Sequence, residues 1–408
     1  MEQQSLIAEW RGMAKPQRMS VWASYLGWTL DAFDFFLLVF SFKAIAETFG
    51  TDVKSVAYAS VLTLMMRPVG ALVFGWMAEK LGRRPVLVMV VLGFSVLSAL
   101  SGLAQTLTQL LIIRAVFGFA MGGEWGVGAS LAMETIPARL RGPVSGLIQS
   151  GYPSGFFLAS LAFGLFFDQI GWRGMFFLGL APALFVLFVR LHVEESPHFA
   201  ERQDRVVQHP VAAILSHWKL ALYLVVLMTL FNCFSHGTQD LFPTMLQKQR
   251  GFDTQTTSLI TMTANAGAIT GAMILGIWSV AHGRRKAITA ACVLALVALP
   301  IGTLATTAVP LAIGAFLLQA GVQGAWAMVP AHLNELSPAA ARALFPGLVY
   351  QLGNLISSPA APWLSGKAEA HGNDFSLVLG LFGAAVAVAL ALWAQLGPER
   401  SREELAKA

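Results

Sequence analysis

The stretch Asn232–Thr244, NCFSHGTQDLFPT, lies inside an apolar run over residues 220–245. A run of this length can cross a bilayer as a helix, since about 20 apolar residues span the hydrocarbon core. At about 100° per residue, one arc of that helix would hold several polar side chains, namely Asn232, Ser235, His236, Gln239 and Asp240. Lipid cannot satisfy these groups, so they must face a partner helix or a water-filled cavity. The arc is either a polar seam between helices or a pathway for substrate and protons, and we favour the pathway.

The rest of the chain has the composition of an integral membrane protein. Of its 408 residues, 56% are hydrophobic and 12% are charged, against about 25% charged residues in soluble proteins. The net charge of +5 does not indicate nucleic-acid binding, because the basic residues lie in short loops between apolar runs. The two cysteines lie in apolar runs and indicate no disulfide framework. The first 19 residues lack the short apolar core of a cleavable signal peptide.

The apolar runs predict twelve membrane spans in two sets of six. The predicted spans cover residues 20–42, 55–78, 85–103, 107–131, 143–166, 173–191, 218–244, 255–280, 286–305, 309–332, 344–365 and 375–396. The longest polar interruption divides the chain into an N-terminal six-helix bundle (1–191), a central loop (192–217), and a C-terminal six-helix bundle with a short tail (218–408). The predicted fold class is therefore an all-α membrane protein of twelve transmembrane helices in two six-helix bundles.

The distribution of Lys and Arg predicts the orientation. An even number of spans puts both termini and the central loop on one side, and that side holds 19 of the 27 basic residues. The other side holds six, and two more, Arg67 and Arg114, lie within spans. Because basic loops stay in the cytoplasm, both termini and the central loop are expected there, in a plasma membrane that we take to be a bacterial inner membrane.

The two sets of six spans repeat at a constant offset of 201 residues. The offset relates Gly70 to Gly271, the triplet 82–84 (Gly-Arg-Arg) to 283–285, and Trp125 to Trp326. It also relates Glu134 to Glu335, and Arg141 to Arg342. Residues in such constant register indicate a duplication. Residues shared between the halves are interpreted as scaffold and gate, and unshared residues as chemistry.

Several motifs resemble those of one transporter family. The pattern Asn-x-x-Ser-His-x-Thr-Gln-Asp-x-x-x-Thr over 232–244 resembles the Jen-type monocarboxylate:proton symporters, in the sialate:proton branch of the major facilitator superfamily. The segment Gly27–Phe36, GWTLDAFDFF, resembles the same branch. The segment 75–87, GWMAEKLGRRPVL, resembles the superfamily motif of the loop after span 2, with Glu79 where Asp is usual. The segment 114–126, RAVFGFAMGGEWG, resembles the superfamily motif of span 4. The resemblance implies the major facilitator fold, with two pseudo-symmetric bundles and a substrate bound near the midplane between them.

The charged residues near the ends of spans 2, 4 and 10 are predicted to govern gating. Charges there can pair with neighbouring helix ends and hold one side shut. The predicted gating residues are Glu79, Arg83, Arg84, Glu134, Arg141, Glu335 and Arg342. The alternative is that the basic residues serve topology alone.

Charges within the spans are candidates for substrate binding and proton coupling. Arg114 is assigned to the substrate carboxylate, because a guanidinium can bind both oxygens, and Glu124 is the first candidate for a proton carrier. Asp31 and Asp34, one turn apart, can raise each other's pKa, so that one holds a proton. The alternative for Arg114 and Glu124 is a structural ion pair with other partners. Arg67 could pair with Asp31 or Asp34 in a purely structural role; if the assignments of Arg114 and Glu124 fail, this pair is the next candidate for function.

The polar arc of span 7 supplies the remaining candidates. Substrate-binding roles are predicted for Asn232, Ser235, His236, Thr238 and Gln239. His236 and Asp240 are also predicted to move protons, since His titrates near neutral pH. No metal or other cofactor is expected; the coupling ion is the proton.

The predicted function is import of a small organic carboxylate, of the lactate or pyruvate type, with protons, by a monomer. The alternatives are a sialic acid or aromatic acid:proton symporter, or a drug efflux antiporter, although the segment 145–157 lacks the Gly-x-x-x-Gly-Pro antiporter pattern. An enzyme is not expected, because the chain has no H-E-x-x-H, P-loop or G-x-S-x-G motif.

Overall fold

The computed structural model describes residues 6–400, apart from residues 52, 181–209, 343 and 373. The described N-terminal half consists of α1 (Leu6–Gly12), α2 (Lys15–Phe49), α3 (Val53–Leu81), α4 (Arg83–Gly102), α5 (Leu107–Met121), α6 (Glu124–Thr135), α7 (Arg141–Gln149) and α8 (Gly151–Leu178). A 3₁₀ turn, Ala138–Leu140, precedes α7, and α8 contains a kink at Gly171.

The C-terminal half begins with the short helix α9 (Pro210–Ser216). It continues with α10 (Trp218–Gln239), α11 (Phe242–Thr244), a π-helical turn (Met245–Gln249), α12 (Thr254–His282), α13 (Arg284–Leu304), α14 (Ala308–Trp326), α15 (Val329–Leu336), α16 (Phe345–Ser357), α17 (Ala360–Ala370) and α18 (Phe375–Leu396). Local signals fix several helix starts: the Asp253 side chain, for example, accepts a hydrogen bond from the Thr256 backbone N–H at the start of α12.

Ten stretches of the described helices are long and apolar enough to cross a membrane. Two predicted spans are not among the ten. Most of span 6, predicted at 173–191, lies outside the described residues, as does most of the predicted central loop. Span 11, predicted at 344–365, is divided into α16 and α17, so neither helix alone reaches the length of a span.

The duplication inferred from the sequence is visible in the backbone. Helices α3 and α12 begin and end at positions related by the offset of 201, and so do the two 3₁₀ turns, Ala138–Leu140 and Ala339–Ala341. The described glycines with positive φ form three pairs at the same offset, Gly50 with Gly251, Gly82 with Gly283, and Gly171 with Gly372. Because only glycine adopts this conformation without strain, the turns of the two halves have the same construction.

The repeat extends to helix packing. A Cβ added at Gly70 would lie 1.9 Å from the Phe119 carbonyl oxygen, and one added at Gly271 would lie 2.0 Å from that of Ala320. In each half, a glycine therefore lets the second span approach the backbone of the fourth, as small residues do in membrane helix pairs. This close packing fixes which face of α3 and α12 turns toward the other half.

Several contacts between the halves lie near one end of the bundle. We call it the basic end and define it by residues 82–84, 138–142, 283–285 and 339–342. The Ala331 backbone N–H donates to Ser145 Oγ at 3.0 Å, joining α15 to α7. A Cβ added at Gly146 would lie 2.4 Å from the Ala272 carbonyl oxygen, so α7 and α12 pack backbone against backbone. The two halves are thus held together between the basic end and the middle of the bundle.

Candidate functional site

A cavity of about 400 Å³, counting its opening, lies between the two halves. Helices α2, α3, α7 and α8 supply one wall, with Trp28, Phe35, Leu64, Arg67, Gln149 and Tyr152. Helices α10, α14 and α16 supply the other, with Asn232, Ser235, His236, Gln323, Trp326, Tyr350 and Asn354. The lining combines aromatic rings with a few polar groups, as small-molecule sites do.

Arg67 is the cation of this cavity wall. It is buried on α3, and its Nη2 lies 3.6 Å from Asp31 Oδ2 and donates to Met121 Sδ at 3.2 Å. Its Nε has no hydrogen-bond acceptor among the described residues. A guanidinium with a free donor on the wall of a cavity can bind a carboxylate ligand.

Arg114, which we assigned to the substrate carboxylate, does not line the cavity. It is fully buried on α5, and its guanidinium lies over the rings of Phe117 (4.6 Å) and Phe176 (4.4 Å). Its charge interacts with that of Asp34, whose Oδ1 accepts a hydrogen bond from Ser98 Oγ at 3.1 Å. The structure thus places this arginine inside the N-terminal bundle, and the assignment stays a prediction that the cavity geometry does not favour.

The two aspartates of α2 therefore have different surroundings. Asp31 pairs with Arg67 at the cavity wall, whereas Asp34 interacts with Arg114 inside the bundle. The two carboxylates also interact with each other electrostatically, as expected from their spacing of one helical turn. Only Asp31 is paired with a residue of the cavity wall.

Glu124 begins α6, immediately after the break that ends α5 at Met121. It is buried, does not line the cavity, and interacts electrostatically with Asp31. A carboxylate at a helix N-terminus is stabilised by the exposed backbone N–H groups of the first turn. Glu124 is therefore within electrostatic range of the Asp31–Arg67 pair, but from outside the cavity.

The polar arc of α10 divides into two parts. Asn232, Ser235 and His236 line the cavity, and His236 Nδ1 lies 3.0 Å from Asp240 Oδ2. Gln239 Nε2 donates to Gln319 Oε1 on α14 at 2.6 Å, and Gln319 Nε2 donates to Thr238 Oγ1 at 3.4 Å. One part of the arc is thus a polar seam with α14 and the other faces the cavity, and a pathway for substrate and protons stays a prediction.

The predicted gating residues lie at the basic end. Arg83 Nη2 lies 3.3 Å from both Glu79 Oε2 and Glu134 Oε1. The other half repeats this contact, since Arg284 Nη2 lies 2.9 Å from Glu335 Oε1. Arg141 and Arg342 are buried at the same end, whereas Arg84 is exposed.

Sequence analysis missed two groups of residues. Arg284 was not among the gating candidates, although the offset of 201 relates it to Arg83. The aromatic lining, with Trp28, Tyr152 and Tyr350, was also missed, because aromatic residues are common throughout membrane helices. Among the described residues, no three histidine, cysteine or acidic side chains come together as metal ligands would.

Comparison with known proteins defines the family. The profile of the Major Facilitator Superfamily matches residues 24–268, and that of "Sugar (and other) transporter" matches residues 216–402. The chain is 32% identical over 383 residues to the "Carboxylic acid transporter protein homolog" of Saccharomyces cerevisiae, covering 87% of this chain but only 62% of that protein. It is 28% identical over 358 residues to the "Sialic acid transporter NanX" of Escherichia coli, covering 86% of this chain and 87% of that one.

A solved structure supports the same conclusion for the fold. The chain superimposes on the proton:xylose symporter XylE with a TM-score of 0.76 at 17% identity, covering 96% of this chain and 98% of that one. Fold and relatives together define an integral membrane protein of the transporter type. The chain belongs to the Major Facilitator Superfamily. These findings confirm the predicted family and the predicted fold class. They also confirm the prediction of a transporter rather than an enzyme.

Proposed function

We propose that the chain imports a small organic monocarboxylate together with protons by alternating access. The observation behind this proposal is the Asp31–Arg67 pair at the wall of the cavity between the halves. An anionic substrate needs a cation, and Arg67 is the arginine on this wall. The relatives named for carboxylic acid and sialic acid transport favour an organic acid as the substrate.

Proton coupling follows from competition for Arg67. Both Asp31 and a bound substrate carboxylate would use the same guanidinium, and two carboxylates close together repel each other in a desolvated site. A proton on Asp31 removes this conflict, because it neutralises the carboxyl group and frees Arg67 for the substrate. Substrate and proton would therefore enter together, and the loaded site would have the same net charge as the empty one.

His236 would act from the opposite wall. Its Nδ1 lies 3.0 Å from Asp240 Oδ2, so this contact orients the ring. Nδ1 donating to a carboxylate leaves Nε2 for a second partner, and imidazole can gain or lose a proton near neutral pH. His236 would therefore contact the substrate or a second proton, while Asn232 and Ser235 would supply hydrogen bonds.

The packing between the halves supports a carrier closed toward the basic end. Gly146 against Ala272, and Ser145 against Ala331, separate the cavity from that end. Release there would require α7 to part from α12 and α15. The ion pairs Arg83–Glu134 and Arg284–Glu335 join helices within one half each, so they can act as rigid supports during this motion.

Two matched variants test the role of Arg67. Arg67→Lys and Arg114→Lys each keep a positive charge but lose the planar fork, so they differ only in position. We expect Arg67→Lys to raise the equilibrium dissociation constant for a carboxylate substrate about tenfold or more, the cost of about 1.4 kcal/mol in a charge-assisted contact. Arg114→Lys should leave the dissociation constant within about twofold of the wild type, since Arg114 does not line the cavity.

The measurement is substrate binding to the purified full chain, with intact folding checked by size-exclusion chromatography. Loss of affinity in Arg114→Lys with normal affinity in Arg67→Lys would return the substrate site to Arg114 and refute the proposal for Arg67. Accumulation driven by an acidic interior rather than an acidic exterior would instead indicate an antiporter.

A further inference from the structure

The floor of the cavity is a continuous set of aromatic rings from both halves. The Trp28 ring lies 5.5 Å from Tyr152 and 6.2 Å from Tyr350, measured between centroids. The Tyr350 ring lies 5.7 Å from Trp326 and stacks on Trp125 at 4.3 Å. We call Trp28, Tyr152, Trp326 and Tyr350, all of which line the cavity, the aromatic floor.

The aromatic floor adjoins the Arg67 site. Tyr152 and Tyr350 line the same cavity as Arg67. The guanidinium of Arg67 also lies 5.9 Å from the ring of Phe35. A carboxylate on Arg67 would therefore have aromatic surface close to its substituent.

We propose that this site selects carboxylates attached to a flat unsaturated ring, of about the size of benzoate, over acyclic acids. The inference rests on the proposed role of Arg67 as the carboxylate site. It differs from the lactate or pyruvate type of substrate predicted from the α10 motif and favours the aromatic-acid alternative, because a three-carbon acid has no ring to contact the aromatic floor.

Two physical effects favour a ring. A flat ring can stack on Tyr152 or pack edge-to-face against Trp28 and Trp326, and such aromatic contacts add to the hydrophobic gain of burial. A rigid ring also loses little conformational entropy on binding, whereas a flexible chain with as many carbons loses several rotatable bonds.

A second feature of the floor concerns hydrogen bonding. The indole N–H groups of Trp28 and Trp326 are buried, and neither has an acceptor among the described residues. The side-chain oxygens of Gln149 and Gln323, also on the cavity wall, lack donors among the same residues. Buried polar groups without partners are rare in folded proteins, and a ligand or water in the cavity can supply these partners. Polar substituents on the ring would meet this need.

The test is isothermal titration of the purified full chain in detergent with benzoate, lactate and heptanoate. Heptanoate has the same number of carbons as benzoate but no ring, so it controls for apolar size. We expect benzoate to bind about tenfold or more tightly than either acyclic acid. Equal or tighter binding of lactate or heptanoate would overturn the proposal.

Variants of Tyr152 distinguish loss of the ring contact from a general loss of folding. Tyr152 is half-buried, whereas the other three members of the aromatic floor are buried, so its replacement disturbs the packing least. Tyr152→Leu should reduce the benzoate-to-lactate affinity ratio about fivefold, while Tyr152→Phe, which keeps the ring, should preserve the ratio. The control is Trp393→Leu, since Trp393 stacks on Tyr223 and does not line the cavity. An unchanged ratio in Tyr152→Leu would also contradict the proposal.

The outcomes distinguish this inference from the proposed function. If Arg67→Lys weakens binding of all three acids but lactate binds best, the carboxylate site stands and the ring preference is wrong. If Arg67→Lys weakens none of them, the proposed function of Arg67 fails, whatever the order of affinities.

Discussion

Neutralising Asp31 should uncouple substrate binding from pH. Asp31 Oδ2 lies 3.6 Å from Arg67 Nη2, and both side chains are buried. At an effective dielectric constant of about 20, charges at this separation attract by about 5 kcal/mol. Even a third of that energy corresponds to more than a tenfold change in affinity. Asp31→Asn removes the competing charge and keeps the size of the side chain, so it should bind a carboxylate about tenfold more tightly at pH 8 than the wild type does.

The pH dependence provides the sharper readout. If one proton binds with each substrate anion, the wild-type dissociation constant should rise about tenfold per pH unit wherever Asp31 is ionised before binding. Asp31→Asn cannot take up that proton, so its dissociation constant should vary little over the same range. The assay is calorimetric titration at several pH values in buffers of different ionisation enthalpy, which also counts the protons taken up.

Asp34→Asn is the matched control, because Asp34 hydrogen-bonds Ser98 and interacts with Arg114 inside the bundle. It should keep the wild-type pH dependence. A steep pH dependence that persists in Asp31→Asn and disappears in Asp34→Asn would refute the reasoning and assign the proton to the inner pair.

Two further predictions concern the opposite wall and the basic end. His236→Ala should abolish proton-driven accumulation while leaving expression intact, because it removes the titratable group that Asp240 orients; full accumulation in uptake assays would exclude His236 from the mechanism. Arg284→Ala should slow exchange several-fold with little change in equilibrium affinity, since the Arg284–Glu335 pair lies at the basic end. Arg83→Ala, its counterpart in the other half, should behave alike, and a large loss of affinity with normal exchange rates would contradict a gating role.

The sequence predicted the helices and the repeat well, for physical reasons. Membrane spans need long apolar runs, so their number and order are visible directly. The offset of 201 can be recognised from glycines such as Gly70 and Gly271, because the helices pack so closely there that no side chain fits. The span over 344–365 was predicted as one helix because most of it is apolar, whereas the structure divides it into α16 and α17 at Ser358 and Pro359.

The site was predicted only in part. On α10 the polar residues stand out against an apolar background, and Asn232, Ser235 and His236 do line the cavity. The choice between Arg67 and Arg114 could not be made in this way. Both arginines lie in spans with apolar residues on all sides, so the sequence does not show which one turns toward the other half. That depends on how α3 and α5 rotate when Gly70 packs on Phe119, which is a property of the assembled bundle.

The aromatic floor was invisible for a related reason. Its members come from α2, α8, α14 and α16, and they are far apart in the sequence. Single aromatic residues in membrane helices are common, and only their meeting between the two halves makes a surface. Trp326 was noted only as the counterpart of Trp125, which stacks on Tyr350.

Uptake into sealed proteoliposomes tests the central claim most directly. The purified chain is reconstituted, and accumulation of a labelled, poorly permeant monocarboxylate is followed with an acidic exterior, with no pH gradient, and with an acidic exterior plus a proton ionophore. We predict accumulation above the external concentration in the first condition alone, and its loss in Asp31→Asn with exchange between equal pools retained. Equal accumulation in all three conditions, or none in any while exchange persists, would contradict proton-coupled carboxylate transport.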